Sequence, residues 1–159
     1  MIKFGFEINY WISKFGVDFH RALDEIAIAG WEGVELSTNF LNYYLDNIKE
    51  LKVLLNLHNL KMTSFFSFLN LVDKDYFKTE MRIIEKKINL IKELGSDVLV
   101  IDGDKKNPKG NTENDYKFAI ENIQIICDAA DLNNLKPTWH QHWGTMFDSK
   151  ETFEYLMER

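Results

Sequence analysis

At 159 residues, with 45 % hydrophobic and 14 % aromatic side chains, the chain is the length of one domain and has enough apolar mass to bury a core, which excludes disorder. Its 25 acidic against 19 basic residues leave a formal charge of −6 and no basic stripe, so the electrostatic footprint of a nucleic-acid binder is missing. Cys127 is the single cysteine, which excludes an intrachain disulfide and fits a reducing, cytoplasmic compartment.

No stretch approaches the ~18 consecutive apolar residues of a membrane span, and Glu7 interrupts the apolar run that a signal peptide would need. The expectation is a soluble protein without a membrane or nucleic-acid partner. Taken in order, Lys3 to Ile8 run or alternate apolar and predict a first strand, with Asn9, Tyr10 and Trp11 at its C-terminal end. Asp18 is placed to cap a helix carrying Phe19, Leu23, Ile26 and Ala27 on one face, with Gly30 as its stop. Gly33-Val34-Glu35-Leu36 predicts a short second strand with an acid in an apolar context, and a second helix is expected from Leu41 to Leu57.

A third strand reads from Lys61 to Phe66. The clearest helical signal follows, over Lys74 to Leu94, where Phe77, Met81, Ile84, Ile88, Ile91 and Leu94 recur at helical spacing between Asp73 as cap and Gly95 as stop. Asp97 to Asp102 is continuously apolar between its acids, the pattern of a parallel strand covered on both faces. Beyond a turn-rich loop, Thr112 caps a fourth helix over Glu113 to Leu132, with Asp115 only approximating the glutamate of a capping box. Pro137 leads into a fifth strand, and Ser149 to Glu158 begins a fifth helix.

A strand-helix pair repeated five times predicts an α/β fold of parallel strands joined by right-handed crossovers. Two architectures satisfy it: an open doubly wound sheet, or the first part of a (β/α)8 barrel, which needs eight units and about 250 residues. No glycine-rich loop follows the first strand, where a doubly wound fold would cradle a phosphate. Asn9, Glu35, Asp102 and His140/His142 cluster after strands, where both architectures place their sites.

The most informative stretch is Pro137-Thr138-Trp139-His140-Gln141-His142-Trp143-Gly144-Thr145. Two histidines two apart on a strand point to one side and offer nitrogens to a metal or a polar substrate. The competing reading is a hydrogen-bonded pair without chemistry. Glu35 is either a site carboxylate or a rim salt bridge, and Asn9 and Trp11 either line a pocket or pack a loop. A capping or solvent role is expected for Asp102, a core role for Cys127, Phe65, Phe66 and Phe68, and surface or packing roles for His20 and His58. Lys105 and Lys106 read as solvated loop charges.

His140-Gln141-His142-Trp143-Gly144-Thr145, with the helix after it, resembles the His-Pro-His-Met-Gly-Thr segment of the myo-inosose-2 dehydratases, members of the xylose-isomerase-like sugar isomerases, epimerases and dehydratases. Gly30-Trp31-Glu32-Gly33-Val34-Glu35-Leu36 resembles that group's second strand, and Phe4-Gly5, Trp11 and Leu94-Gly95 also suit it. The resemblance implies that residues 1–159 form an incomplete TIM barrel of about five βα units. It implies metal-dependent dehydration of a sugar or cyclitol, with His140 on the metal (manganese, cobalt or zinc), His142 and Glu35 catalytic, and Asn9, Trp11, Trp143 and Thr145 binding substrate. Gln141 replaces the usual proline and Trp143 the usual methionine. Relatives draw further ligands from strands six to eight, so the lone chain is expected to bind metal weakly and to pair with a copy of itself or a complementing chain. An isomerase or epimerase, or a non-catalytic subunit, are the alternatives.

Overall fold

A computed structural model describes residues 5–9, 11–12, 16, 18–104 and 106–159, with the side chains of residues 38–41 also outside the description. Lys3 and Phe4 of the expected first strand, together with Tyr10 and Lys105, therefore lie outside the described residues. Five strands, β1 (Gly5–Glu7), β2 (Gly33–Ser37), β3 (Lys61–Leu69), β4 (Val98–Gly103) and β5 (Lys136–Trp139), form one parallel sheet in the order of the sequence. Between and after them lie α1 (Phe19–Ile28), α2 (Thr38–Leu45), α3 (Ile48–Leu57), α4 (Lys74–Glu93), α5 (Glu113–Asp131) and α6 (Lys150–Met157). A doubly wound sheet reverses its strand order at a switch point; here every crossover steps the same way, which is barrel winding. Right-handed crossovers all stepping one way put the helices on one face of the sheet.

That helix-side face carries the core. Leu99 and Ile101 of β4 and Phe65 and Leu69 of β3 pack against Ile84, Ile88 and Ile91 of α4 and Ala119, Ile123 and Ile126 of α5 in one cluster. α4 has the expected ends: Asp73 accepts from the N–H groups of Asp75 and Tyr76, and Gly95 takes φ 77° just past its C-cap. At α5, Asp115 completes a reciprocal capping box with Thr112, so the shorter acid closes what the sequence only approximates.

Two expectations are corrected. The predicted second helix is two helices, because Asn47 leaves helical geometry (φ −130°, ψ 48°) and its side-chain amide donates to the Tyr43 carbonyl at 2.8 Å. β5 ends at Trp139, so the two histidines lie beyond the strand. The β2–β3 register also shifts, from Val34↔Met62 to Glu35↔Ser64, leaving Thr63 as an extra residue on β3. The Thr63 methyl lies over Gly33, where a Cβ would fall 2.6 Å from it. Glycine there lets β3 bulge, and the bulge sets Ser64 beside Glu35.

Candidate functional site

The inner face of the sheet, turned from the helices, is read from the register. Phe66 and Phe68 of β3 stand level with Val100 and Asp102 of β4, and Val100 stands level with Thr138 of β5. The His140 N–H donates to the Ile101 carbonyl at 2.9 Å, extending the ladder one residue past β5 and setting His140 beside Asp102. Phe66 meets the His140 ring edge-on at 5.5 Å, and the His140 and His142 rings lie 5.6 Å apart.

The loop after His140 is held by backbone bonds. Lys106 N–H donates to the Gly144 carbonyl at 2.9 Å and Met146 N–H to the Asp104 carbonyl at 3.0 Å, tying it to the loop after β4. Gly144 takes φ 83°, and the Thr145 hydroxyl donates to the His142 carbonyl at 2.7 Å, closing a tight turn. Gln141 donates through its amide to the Phe147 and Asp148 carbonyls, both at 3.2 Å. This turn, and not strand alternation, brings the two imidazoles together.

A cleft of about 550 Å³ opens there, lined by Asn9, Phe66, Phe68, His142, Trp143, Gly144 and Thr145. Four of the residues singled out from the sequence, Asn9, His142, Trp143 and Thr145, thus share one cleft. Trp143 is 92 % exposed. Glu35 is on the same face but outside the cleft; it accepts from the Ser64 hydroxyl, and Ser64 lies four residues before Phe68, about 13 Å at strand rise. Trp11 turns toward α1, where its indole N–H donates to Glu25, and it packs on Phe6 at 5.8 Å. A larger groove of about 750 Å³ lies between the α2–α3 corner and α4, away from the histidines, and its Lys52 already donates to the Glu93 carbonyl.

Sequence reasoning missed four members of the inner face. Asp102, expected to cap or meet solvent, is 0 % exposed. Its Oδ1 accepts from Gly103 N–H at 2.8 Å, while Oδ2 is buried with no partner among the described residues. Burial pushes its carboxyl above the usual range, opposed by the Gly103 N–H and then by the His142 and His140 imidazoles. The Ser37 hydroxyl, level with Phe66, and the Asn9 Oδ1 are likewise buried with no partner among the described residues. Phe66 and Phe68 line the cleft, whereas Phe65 alone of the three joins the core.

Two imidazoles near one carboxyl are a partial donor set for a metal, yet among the described residues no three His, Cys, Asp or Glu side chains converge to hold an ion. The described residues therefore do not complete a metal centre. Nor, among them, is any helix long and apolar enough to cross a membrane.

Known proteins share this fold. The chain is 27 % identical over 151 residues to the inosose dehydratase of Clostridium beijerinckii, covering 87 % of this chain and 49 % of that protein. It thus spans about half the length of the curated relatives it matches. In fold it is similar to the probable 3-DHS dehydratase AsbF of Bacillus anthracis, with TM-score 0.76 at 16 % identity over 99 % of this chain and 58 % of that one. The IOLI protein with a binding zinc atom gives TM-score 0.77 at 16 % identity with the same coverage. Residues 23–159 match the family described as the xylose isomerase-like TIM barrel, and the chain belongs to that family as five strands of its barrel.

Proposed function

We propose that the inner face binds an uncharged polyhydroxy ketone, a sugar or cyclitol of the inosose kind, and that the associated chemistry is dehydration. The observation that carries this reading is the set of buried polar atoms at or beside the cleft that have no partner among the described residues: Asn9 Oδ1, Ser37 Oγ and Asp102 Oδ2. Each such group left unpaired costs about 1–3 kcal/mol, a penalty removed by a ligand that donates to it. An amide oxygen and a carboxylate oxygen only accept, so the matching ligand brings hydroxyl donors. Among the described residues no lysine or arginine lines the cleft, so a phosphate would find no counter-charge. Phe66, Phe68 and Trp143 offer apolar faces to the C–H face of a ring.

Dehydration next to a ketone removes a proton from the α-carbon and releases a hydroxyl, as water, from the carbon beyond. His142, in the cleft wall, is the group placed to take that proton. Glu35 is the second proton carrier for a ligand reaching deeper along β3, with Ser64 holding its carboxylate. Asn9, Trp143 and Thr145 bind, while Trp11 backs the wall through α1. His140 is one contact for a divalent ion (manganese, cobalt or zinc), whose other ligands must come from strands added at the free edges of β1 and β5. Those strands belong to a longer chain, a second copy or a complementing chain, and five strands alone lack dehydratase activity. A cytoplasmic setting, fitting the lone cysteine, is part of the same reading.

Titration of an inosose into ¹⁵N-labelled protein tests the binding step. Saturable shifts at His142 and Trp143 are expected, with no such response to an inositol phosphate. Absence of shifts at tens of millimolar inosose, or an equal response to the phosphate, overturns the reading.

A further inference from the structure

Among the described residues, three that are not glycine take positive φ. Asn59 and Asn134 do so just beyond α3 and α5, the ordinary place for a left-handed residue. Asp104 does so at φ 43° directly after β4, with no helix to end. Left-handed backbone is costly for a residue with a side chain and persists only where the surroundings enforce it. Here they do, because Asp104 Oδ2 accepts from the Leu71 and Val72 N–H groups at 2.5 and 2.9 Å. Leu71 is held from α5 as well, where Asn122 donates to its carbonyl at 2.6 Å. Gly103 leaves room for this approach: a Cβ there would fall 2.7 Å from Leu71 Cδ1. The backbone of Asp104 meanwhile bonds to both segments that line the cleft. Its N–H donates to the Leu69 carbonyl at 3.1 Å, one residue past Phe68, and its carbonyl accepts from Met146 N–H at 3.0 Å, one residue past Thr145.

We propose that Asp104 is a positioning residue for the cleft: its carboxylate, anchored on Leu71 and Val72, holds the left-handed backbone that aims its carbonyl at Met146, and so couples the end of β3 to the turn carrying His142, Trp143 and Thr145. Without that anchor a residue with a Cβ relaxes to negative φ, the following peptide swings, and the carbonyl leaves Met146. The turn then keeps its own bond from the Thr145 hydroxyl to the His142 carbonyl but loses its place relative to Phe68. Nothing in this coupling depends on what the cleft binds, and an inosose that fails to bind would leave it untouched.

Native-state hydrogen exchange tests it without a ligand. In Asp104→Ala the anchor is gone, so the Leu71 and Val72 N–H groups should exchange about tenfold faster or more. Met146 N–H bonds to a main-chain carbonyl that the substitution leaves in place, yet it should speed up by a similar factor. A general loss of stability would accelerate Ile88 and Ile91 in the core face of α4 equally, so the effect is read relative to those two amides. Asp104→Asn keeps an acceptor oxygen and tolerates left-handed backbone, and should return all three amides toward the wild-type rates. Acceleration at Leu71 and Val72 alone, or at none of the three, overturns the proposal, as does an Asn variant no better protected at Met146 than the Ala variant. Should neither variant fold, the wild type decides: in low urea the three amides should open as one unit, with a shared opening free energy and urea dependence smaller than those of Ile88. Met146 opening apart from Leu71 and Val72 overturns the coupling.

Discussion

The two faces of one sheet behave differently although they are built from alternate residues of the same strands. On the helix side, Phe65, Leu69, Leu99 and Ile101 are enclosed and apolar. On the inner side, Phe68 is 42 % exposed, and Asn9, Ser37 and Asp102 keep polar atoms without partners among the described residues, as Ser67 and Trp139 do on the helix side. Side chains alternate across a strand with period two, so the large apolar residues that make the core come mostly from one parity, while the other carries the cleft. Stability and recognition are thus separable by choice of residue along a single strand.

The strongest way to break the helix side is through the charge pair buried there. Lys87 of α4 is 1 % exposed, and its Nζ lies 3.8 Å from Glu80 Oε1. Lys87→Met leaves Glu80 buried without its cation and should cost about 3–5 kcal/mol in urea denaturation, whereas Lys87→Met with Glu80→Leu should recover most of it. Burial pushes the lysine down from 10.5 to about 8, against the pull of Glu80. Between those values the unfolded chain holds a proton that the folded chain has released, so this group adds stability as pH rises through that window. Burial raises Glu80, with Lys87 and the Asn70 N–H opposing and Asp104 adding to the rise; its share of stability therefore falls as pH climbs through the acid range above 4.5. A wild-type alkaline rise that persists in Lys87→Met would assign the titration elsewhere.

Next in size is the direct contrast of faces. Leu99→Ala, on the helix side, should cost about 2–5 kcal/mol through lost burial and the cavity left behind. Phe68→Ala, three strand positions from Phe65 but on the inner side, should cost about 1 kcal/mol or less while weakening inosose binding several-fold. Equal losses of stability at both positions would show that the inner face is as much core as the other.

How much of this was legible in the sequence depended on how local the cause was. α4 could be read with both ends because its stripe, Asp73 and Gly95 act within one turn of the residues they fix. The break between α2 and α3 is carried by Asp46-Asn47, polar turn-formers inside an otherwise helical stretch, and the apolar residues that continue on both sides mask it in the sequence. Phe66 and Phe68 are different in kind. An aromatic residue on a strand suits either face, and only the register with β4, more than thirty residues on, aligns them with Asp102 and His140. Asp102 looked like a strand end because the buried neighbours that enclose it come from other strands. The His140 and His142 rings do lie 5.6 Å apart, but Gly144 and Thr145 make the turn there, beyond the end of the strand that was expected to hold both histidines.

The smallest effect on stability should come with a selective effect on recognition, at Trp143. An indole 92 % exposed contributes little to folding, so Trp143→Met should leave the urea midpoint within about 0.5 kcal/mol of wild type. Methionine is the residue that the resembling segment of the dehydratases usually carries, and it is flexible where indole is flat and rigid. If the indole serves as the flat wall of the cleft, the exchange should weaken a cyclic polyhydroxy ketone several-fold and leave an open-chain ketose nearly unchanged, because only the ring presents a continuous C–H face. Equal weakening of both ligands would reduce Trp143 to a general apolar contact. A loss of stability beyond about 1 kcal/mol would mean that the indole packs into the fold, and the separation of faces would then fail at the position where exposure makes it sharpest.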